Sequence, residues 1–271
     1  MPYKIQKLSV SGVIDQAAAI VKDNFLLFLK IVAMTWVPVQ VVVFVAGQLI
    51  LPPQITETST QEEIIAFFQA LAILMGIVVV LLMFSLPLTN ASVIHAVAEL
   101  YLGRTVTAKE AVMASFGKIA PLIGTGILMG LATFGGMILC IVPGILFALW
   151  FVLGQHVVVL EETSGTAALS RSKELVQPHM GNLIAIGLMV WVIQAMVNGA
   201  ANLIPQVYLQ GLAAITLGAV TTVFSAAVFV VFYFSCRCAN ENFDLEHLAA
   251  AVDEGAAPPA EEDGEELFDE N

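Results

Sequence analysis

The sequence predicts an all-α polytopic membrane protein: six transmembrane helices forming three hairpins, each preceded by an amphipathic helix lying along the cytoplasmic interface. Three observations carry this reading. The 271 residues are 59% hydrophobic and only 12% charged, with a mean hydropathy of +0.90, whereas a soluble domain has about 25% charged residues to keep its surface hydrated. Six stretches stay apolar over the roughly 20 residues that a helix needs to cross a bilayer. All ten lysines and arginines fall on one side of the connections between those stretches.

The spans are placed at 25–50, 64–86, 120–141, 144–160, 182–204 and 212–235. Their apolar residues run continuously rather than alternating, so helices that close their own backbone hydrogen bonds are the form expected in lipid. Lys4, Lys7, Lys22 and Lys30 precede or open the first span, and Arg104, Lys109 and Lys118 separate the second from the third. Arg171 and Lys173 lie between the fourth and fifth, and Arg237 follows the sixth. The opposite connections, PPQITETSTQEE, CIVPG and PQVYLQG, contain no basic residue. Positive charge marks the cytoplasmic face, so both termini are expected in the cytoplasm, with the protein in a plasma or inner membrane. The opening MPYKIQKLSVSGVIDQAA lacks the layout of a cleaved secretory signal, and the first span is expected to direct insertion itself.

The basic-side connections share a pattern. SVSGVIDQAAAIVKDNF (9–25), TVTAKEAVMASFGKIAP (105–121) and TSGTAALSRSKELVQPH (163–179) each open on Ser or Thr, run about three helical turns and enter a span, which reads as a threefold repeat or as three ordinary linkers. In the first, Val13, Ala17, Ile20 and Val21 share a face; in the second, Thr107 and Glu110 have capping-box spacing. In the third, Ala168, Leu175 and Val176 oppose Arg171 and Glu174. Each apolar stripe is expected to lie in the headgroup layer.

The net charge of −12 comes from the end of the chain: twelve of the 22 acidic residues follow Ala239 and no Lys or Arg does, leaving ten acids against ten bases before it. Residues 1–247 therefore form the membrane domain, and 248–271 are expected to be a disordered acidic cytoplasmic tail. Cys140, Cys236 and Cys238 show neither zinc spacing nor the density of a secreted disulfide framework.

Several strings resemble the multi-span membrane domain that is fused to some glycerophosphodiester phosphodiesterases and also occurs alone in bacterial membrane proteins. The resemblance covers about residues 8–247. It rests on Pro143-Gly144-Ile145, on Glu161 followed by Ala168-Leu169, Arg171-Ser172 and Leu175, and on Tyr233, Arg237, Glu241 and Phe243-Asp244-Leu245-Glu246. Ser235, Ala239 and Asn242 depart from the family pattern, which favours an acidic residue, Arg and Gly there. The resemblance implies a fold; the phosphodiesterase barrel is not among these residues, so it implies no hydrolase activity.

Within the spans, Gln194, Asn198 and Asn202 are four apart on one face of the fifth. Amides are costly in lipid, about 4 to 8 kcal/mol on transfer to an apolar solvent, so this stripe is expected to face the bundle interior or a wet cavity. It is either a polar pathway or packing glue. Arg171, Lys173 and Arg237 are candidate lipid-headgroup contacts or simply topogenic charges. His95 and Glu99 fall on the continuation of the second span beyond an expected break at Pro87, and His156 lies near Glu161 and Glu162. With Cys236 and Cys238 they lack any recognised ligand spacing, so headgroup-bound interfacial histidines are expected rather than a metal site. No phosphate loop, nucleophile elbow or paired intramembrane carboxylate is present. No cofactor is implied, and the acidic tail with sparse basic residues opposes nucleic-acid binding. The expected role is non-catalytic, organising membrane lipids or a protein partner that docks on the tail; a small transporter for an amphiphilic or lipid-derived solute is the alternative.

Overall fold

The computed structural model describes residues 5–50, 60–202 and 207–243, the side chains of 201–202 and 207–215 excepted. The described chain is all-α, with no strand among the described residues, and six segments are long and apolar enough to cross a membrane. It is a multi-pass membrane protein. The acidic tail, Asp244 and the connection after the first span lie outside the described residues.

The first unit comprises α1 (Val10–Asp23), α2 (Phe25–Ile50) and α3 (Gln61–Tyr101). Ser9 starts α1 by accepting the Gly12 N–H at 3.2 Å. Asn24 ends α1 and starts α2: its backbone and side-chain N–H groups both donate to the Ile20 carbonyl at 3.1 Å, while its own carbonyl accepts from Leu27 and Phe28. A capping box of Thr60 and Glu63 opens α3, with bonds of 2.8 and 3.3 Å. The second unit comprises α4 (Ala108–Phe116), α5 (Ile119–Leu139), α6 (Ile141–Trp150) and α7 (Gly154–Leu160). Thr107 and Glu110 form the capping box that their spacing indicates, and the Thr107 N–H holds the Glu110 carboxyl below its ordinary value. The third comprises α8 (Gly165–Val176), a 3-10 turn at Gln177–His179, α9 (Met180–Asn202) and α10 (Val207–Glu241). Within each unit the two span segments pack on each other, α2 with α3, α5 with α6 and α9 with α10.

Two boundaries differ from the sequence reading. Helix α3 does not break at Pro87 but runs unbroken to Tyr101. Proline removes one N–H, and in lipid a broken turn would strand further backbone groups without partners. Hydroxyls tie the neighbouring turn to α2: Thr89 Oγ1 lies 2.8 Å from the Ser85 carbonyl and 2.9 Å from Thr35 Oγ1 of α2, itself bonded to the Ile31 carbonyl at 3.0 Å. The fourth span, by contrast, divides at residues 151–153 into α6 and α7.

Burial is concentrated at one end. Every residue from Ala91 to Ala98 except His95 is buried, as is Tyr101. Around them the core gathers Phe28 and Ile31 from the start of α2, Val157 and Val159 from α7, Leu183 and Ile186 from the start of α9, and Ala227, Val228, Val230 and Val231 from α10. The opposite halves are open: Leu49, Ile138 and Leu139 are 81%, 77% and 85% exposed. The apolar stripes of the amphipathic helices join the core rather than the headgroup layer. Val13, Ala17, Ile20 and Val21 of α1, Ala111 and Val112 of α4, and Ala168, Leu175 and Val176 of α8 are all buried. The long helices α3 and α10 present apolar surface at this end, and it is protein that covers it: α1 packs on α10, α4 on α3, and α8 on α10.

The turn between α5 and α6 is the single residue Cys140, and it brings two glycines together. A Cβ on Gly136 would lie 3.0 Å from the Gly144 Cα, and one on Gly144 would lie 2.7 Å from the Met137 N. Pro143 sits in the first turn of α6, where the helix does not use its missing N–H. Gly144→Val is therefore expected to cost about 1 to 3 kcal/mol through overpacking, read as a lower thermal midpoint in detergent. Gly124→Ala, with open space around Gly124, changes stability by less than about 0.5 kcal/mol.

Candidate functional site

The break between α6 and α7 leaves the Trp150 carbonyl without its helical donor, because the Gly154 N–H turns to the Phe151 carbonyl at 2.8 Å. Ser172 of α8 supplies the missing bond, donating to the Trp150 carbonyl at 2.7 Å. Next to it on α8, Lys173 Nζ rests 4.4 Å from the centroid of the Trp150 ring. At the other end of α7, Lys118 donates to the Val159 carbonyl at 2.6 Å and approaches Glu162 at 3.5 Å. Glu162 takes a positive φ of 55° as the chain leaves α7, and Gly165 takes 66° as it enters α8, where its N–H donates to Thr125 Oγ1 at 2.8 Å.

This placement of α8 brings a chain of charges together. Arg171 Nε donates to both oxygens of Glu161, at 3.1 and 2.9 Å, while its Nη2 pairs with Glu241 Oε1. The second oxygen of Glu241 accepts from Arg237 Nε at 2.9 Å, and Tyr233 donates its hydroxyl to Glu161 Oε1 at 2.7 Å. The Arg237 guanidinium lies 4.2 Å from the Phe243 ring centroid, and that ring meets Phe234, which stacks on Tyr101. Asn240 extends the seam, donating to the Leu175 carbonyl at 3.4 Å and bonding His179 at 3.0 Å.

Two carboxylates face two guanidiniums, and all four side chains are between 19% and 27% exposed. Charge is balanced inside the group. Both oxygens of each carboxylate have donors, and the contacts tie the end of α7 to α8 and α10. Arg171 and Arg237, read from sequence as headgroup contacts, thus have protein carboxylates as partners, and Lys173 has an aromatic face.

The residues that carry the family resemblance converge here. Glu161, Arg171, Ser172, Glu241 and Phe243 belong to this group, while Pro143 and Gly144 shape the α5–α6 turn; Asp244 lies outside the described residues. The departure at Asn242 has a backbone reason: its φ is 55°, the left-handed region that glycine and asparagine enter most readily. At the second departure, Ser235 Oγ accepts the Leu8 N–H at 2.9 Å, tying the segment before α1 to α10.

The amide stripe of α9 does not act as a unit. Gln194 donates to Ser225 of α10 at 2.8 Å, a helix-to-helix bond, whereas Asn198 is exposed and bonds the Gln194 carbonyl of its own helix at 2.9 Å. Asn198 therefore does not face the bundle interior, and the side chain of Asn202 lies outside the described residues. His156 is not interfacial: it is 7% exposed, lies against Phe229 in the core, and has no hydrogen bond at either ring nitrogen among the described residues. Glu99 pairs with Arg104 at 3.6 Å, and no cluster of three or more His, Cys, Asp or Glu residues suited to a metal occurs among the described residues.

Sequence reasoning did not find Thr125, Lys118 or Trp150, whose partners lie 22 to 41 positions away. The signal that existed was local: a fourth span interrupted near a Gly, followed by a Ser and a Lys adjacent to the motif arginine. Comparison of the chain with protein-family models, with curated proteins and with solved structures finds no match in any of the three.

A double-mutant cycle tests the ion network. Arg171→Met is expected to cost about 2 kcal/mol, because hydrogen bonds to charged groups contribute about 1.5 to 3 kcal/mol and this site is partly open to solvent. Combining it with Glu241→Gln gives a coupling energy of at least about 0.5 kcal/mol. Arg104→Met, at a 64% exposed ion pair, leaves stability unchanged within about 0.5 kcal/mol.

Proposed function

We propose that the chain is a non-catalytic multi-pass protein of the cell membrane, with both termini cytoplasmic, that organises lipids or a protein partner at the cytoplasmic face. The supporting observation is the two-ended construction: the buried core and the balanced charge network lie at the end carrying the basic residues, and the other halves of the spans stay exposed. Basic residues mark the cytoplasmic side, so the rigid platform faces the cytoplasm.

The same reading places the chain with the membrane domain of the glycerophosphodiester phosphodiesterase membrane-domain family. Its support is that motif residues from two separate stretches, Glu161, Arg171 and Ser172 in one and Glu241 and Phe243 in the other, share one packed group. On this reading the acidic tail, 248–271, is the docking segment for a protein partner, presented shortly after the anchored Phe243. The transporter alternative draws no support from the amide stripe, since Gln194 joins two helices and Asn198 faces outward.

Two experiments test the proposal. In intact cells, in a chain whose exposed Cys140 is replaced by serine, a Thr58→Cys variant is expected to react with an impermeant thiol reagent and a Ser170→Cys variant only after lysis; the opposite pattern overturns the orientation. Deleting 248–271 is expected to release a co-purifying protein partner, and a partner retained by the truncated chain removes the docking role.

A further inference from the structure

At the basic end, the segment before α1, the start of α9 and the last turns of α10 border a niche of about 10 Å³, room for a single oxygen atom. Lys7, His179, Asn182 and Ser235 are its polar walls, and no carboxylate lines it among the described residues. Ser235 is 6% exposed; its Oγ accepts the Leu8 N–H at 2.9 Å, and its own hydroxyl hydrogen has no acceptor among the described residues. Lys7 and Asn182 are exposed. Among the described residues Lys7 is in no ion pair and the Asn182 amide forms no hydrogen bond. The His179 ring is turned to Asn240 at 3.0 Å.

The lining selects the occupant. An ammonium, an amide and a hydroxyl all donate, and here none of the three is spent on a protein acceptor among the described residues. An oxygen that accepts several bonds and carries negative charge answers them best, since hydrogen bonds to ionised groups are roughly twice as strong as neutral ones. The depth of the niche indicates where that oxygen comes from. Ile184, the first exposed large apolar side chain of α9, lies two positions beyond Asn182. The niche therefore stands at the edge of the lipid-facing surface, beside the headgroup phosphates. The arginines of the charge network are balanced by glutamates inside the protein; Lys7 has no such partner among the described residues.

We infer that the niche is a site for one phosphate group, which seats a single anionic oxygen between Ser235 and Asn182 and pairs with Lys7, the rest of the group staying outside. A lipid headgroup and free phosphate share that chemistry, and the depth of the niche favours the lipid. The inference deepens the lipid-organising reading and, for the lipid as source, rests on it.

The full chain in detergent is titrated with dioleoyl phosphatidylglycerol, with dioleoylglycerol, which has the same chains and no phosphate, and with inorganic phosphate. Bound molecules are counted by native mass spectrometry. One phosphatidylglycerol is expected to bind about tenfold or more tightly than dioleoylglycerol. Lys7→Gln weakens it about fivefold. Ser235→Asp, which keeps an acceptor for the Leu8 N–H and puts a carboxylate into the niche, abolishes the preference; Asn182→Leu, at an exposed position, serves if that variant does not fold. Lys109→Gln, at an exposed lysine of α4 outside the niche, leaves binding unchanged. Equal binding of the two lipids with no bound phosphate overturns the site and leaves the niche to water. A preference lowered as much by Lys109→Gln as by Lys7→Gln also overturns it, since general basic charge then accounts for it. Inorganic phosphate bound with the same sensitivity to Lys7→Gln, without a lipid preference, keeps the phosphate site and removes the lipid as its source. The assay is indifferent to orientation and to the tail, so a reversed labelling pattern or a retained partner would sink the proposed function while leaving the phosphate preference readable.

Discussion

Helix α3 has 41 residues and is about 61 Å long, twice the roughly 30 Å hydrocarbon core of a bilayer. The rest of the fold follows from where the excess goes. Its first half is exposed in the way that a lipid-facing helix is: only 6% of its most apolar window is buried. Its last quarter, from Ala91, is enclosed on nearly every face. An apolar helix leaving the membrane has to exchange lipid for protein, since leaving Val93, Ile94 and Val97 in water would forfeit about 1.5 to 3 kcal/mol for each large side chain. Helices α1, α4, α7 and α10 provide that cover.

The same requirement explains the amphipathic helices. A stripe such as Val13, Ala17, Ile20 and Val21 is equally suited to headgroups and to a protein groove, because both accept an apolar face with a charged back. What decides between them is the neighbouring surface. Helix α10 is also long, at 35 residues, and its last turns offer Val230, Val231 and Phe234 to whatever lies beside them. Once α8 packs there, Arg171 comes within reach of Glu241, and the network of Glu161, Arg171, Glu241 and Arg237 can form. The charges are thus a consequence of helix placement that also restricts it, since removing one partner leaves the other desolvated and unmatched.

Fold class, span number and the capping box at Thr107 were legible in the sequence because they depend on local pattern: apolar length, spacing of Thr and Glu, and the side on which Lys and Arg fall. The continuity of α3 was not, since Pro87 is a helix breaker by local rules, whereas in lipid a broken turn would strand further backbone groups. The destination of the apolar stripes was also hidden, because periodicity specifies a face but not its partner. Within the site, Glu161, Arg171 and Glu241 could be named from the resemblance, yet their mutual contact joins positions far apart in the chain and no spacing rule reaches across them. His156 misled for a similar reason: its position near the end of a span suggested an interface, and tertiary packing buried it.

The protein thus has a packed platform at one end and spans that stay exposed at the other. This construction requires α3 to pass from lipid into protein between Leu86 and Ala91. The most direct measurement is a nitroxide scan of α3 from Val79 to Val97 in bilayers, reading accessibility to oxygen and to a water-soluble nickel complex. High, helix-periodic oxygen access is expected through Leu86, then low access to both reagents at Val93, Ile94 and Val97. Periodic oxygen access continuing through Val97, or nickel access at those three positions, would contradict it.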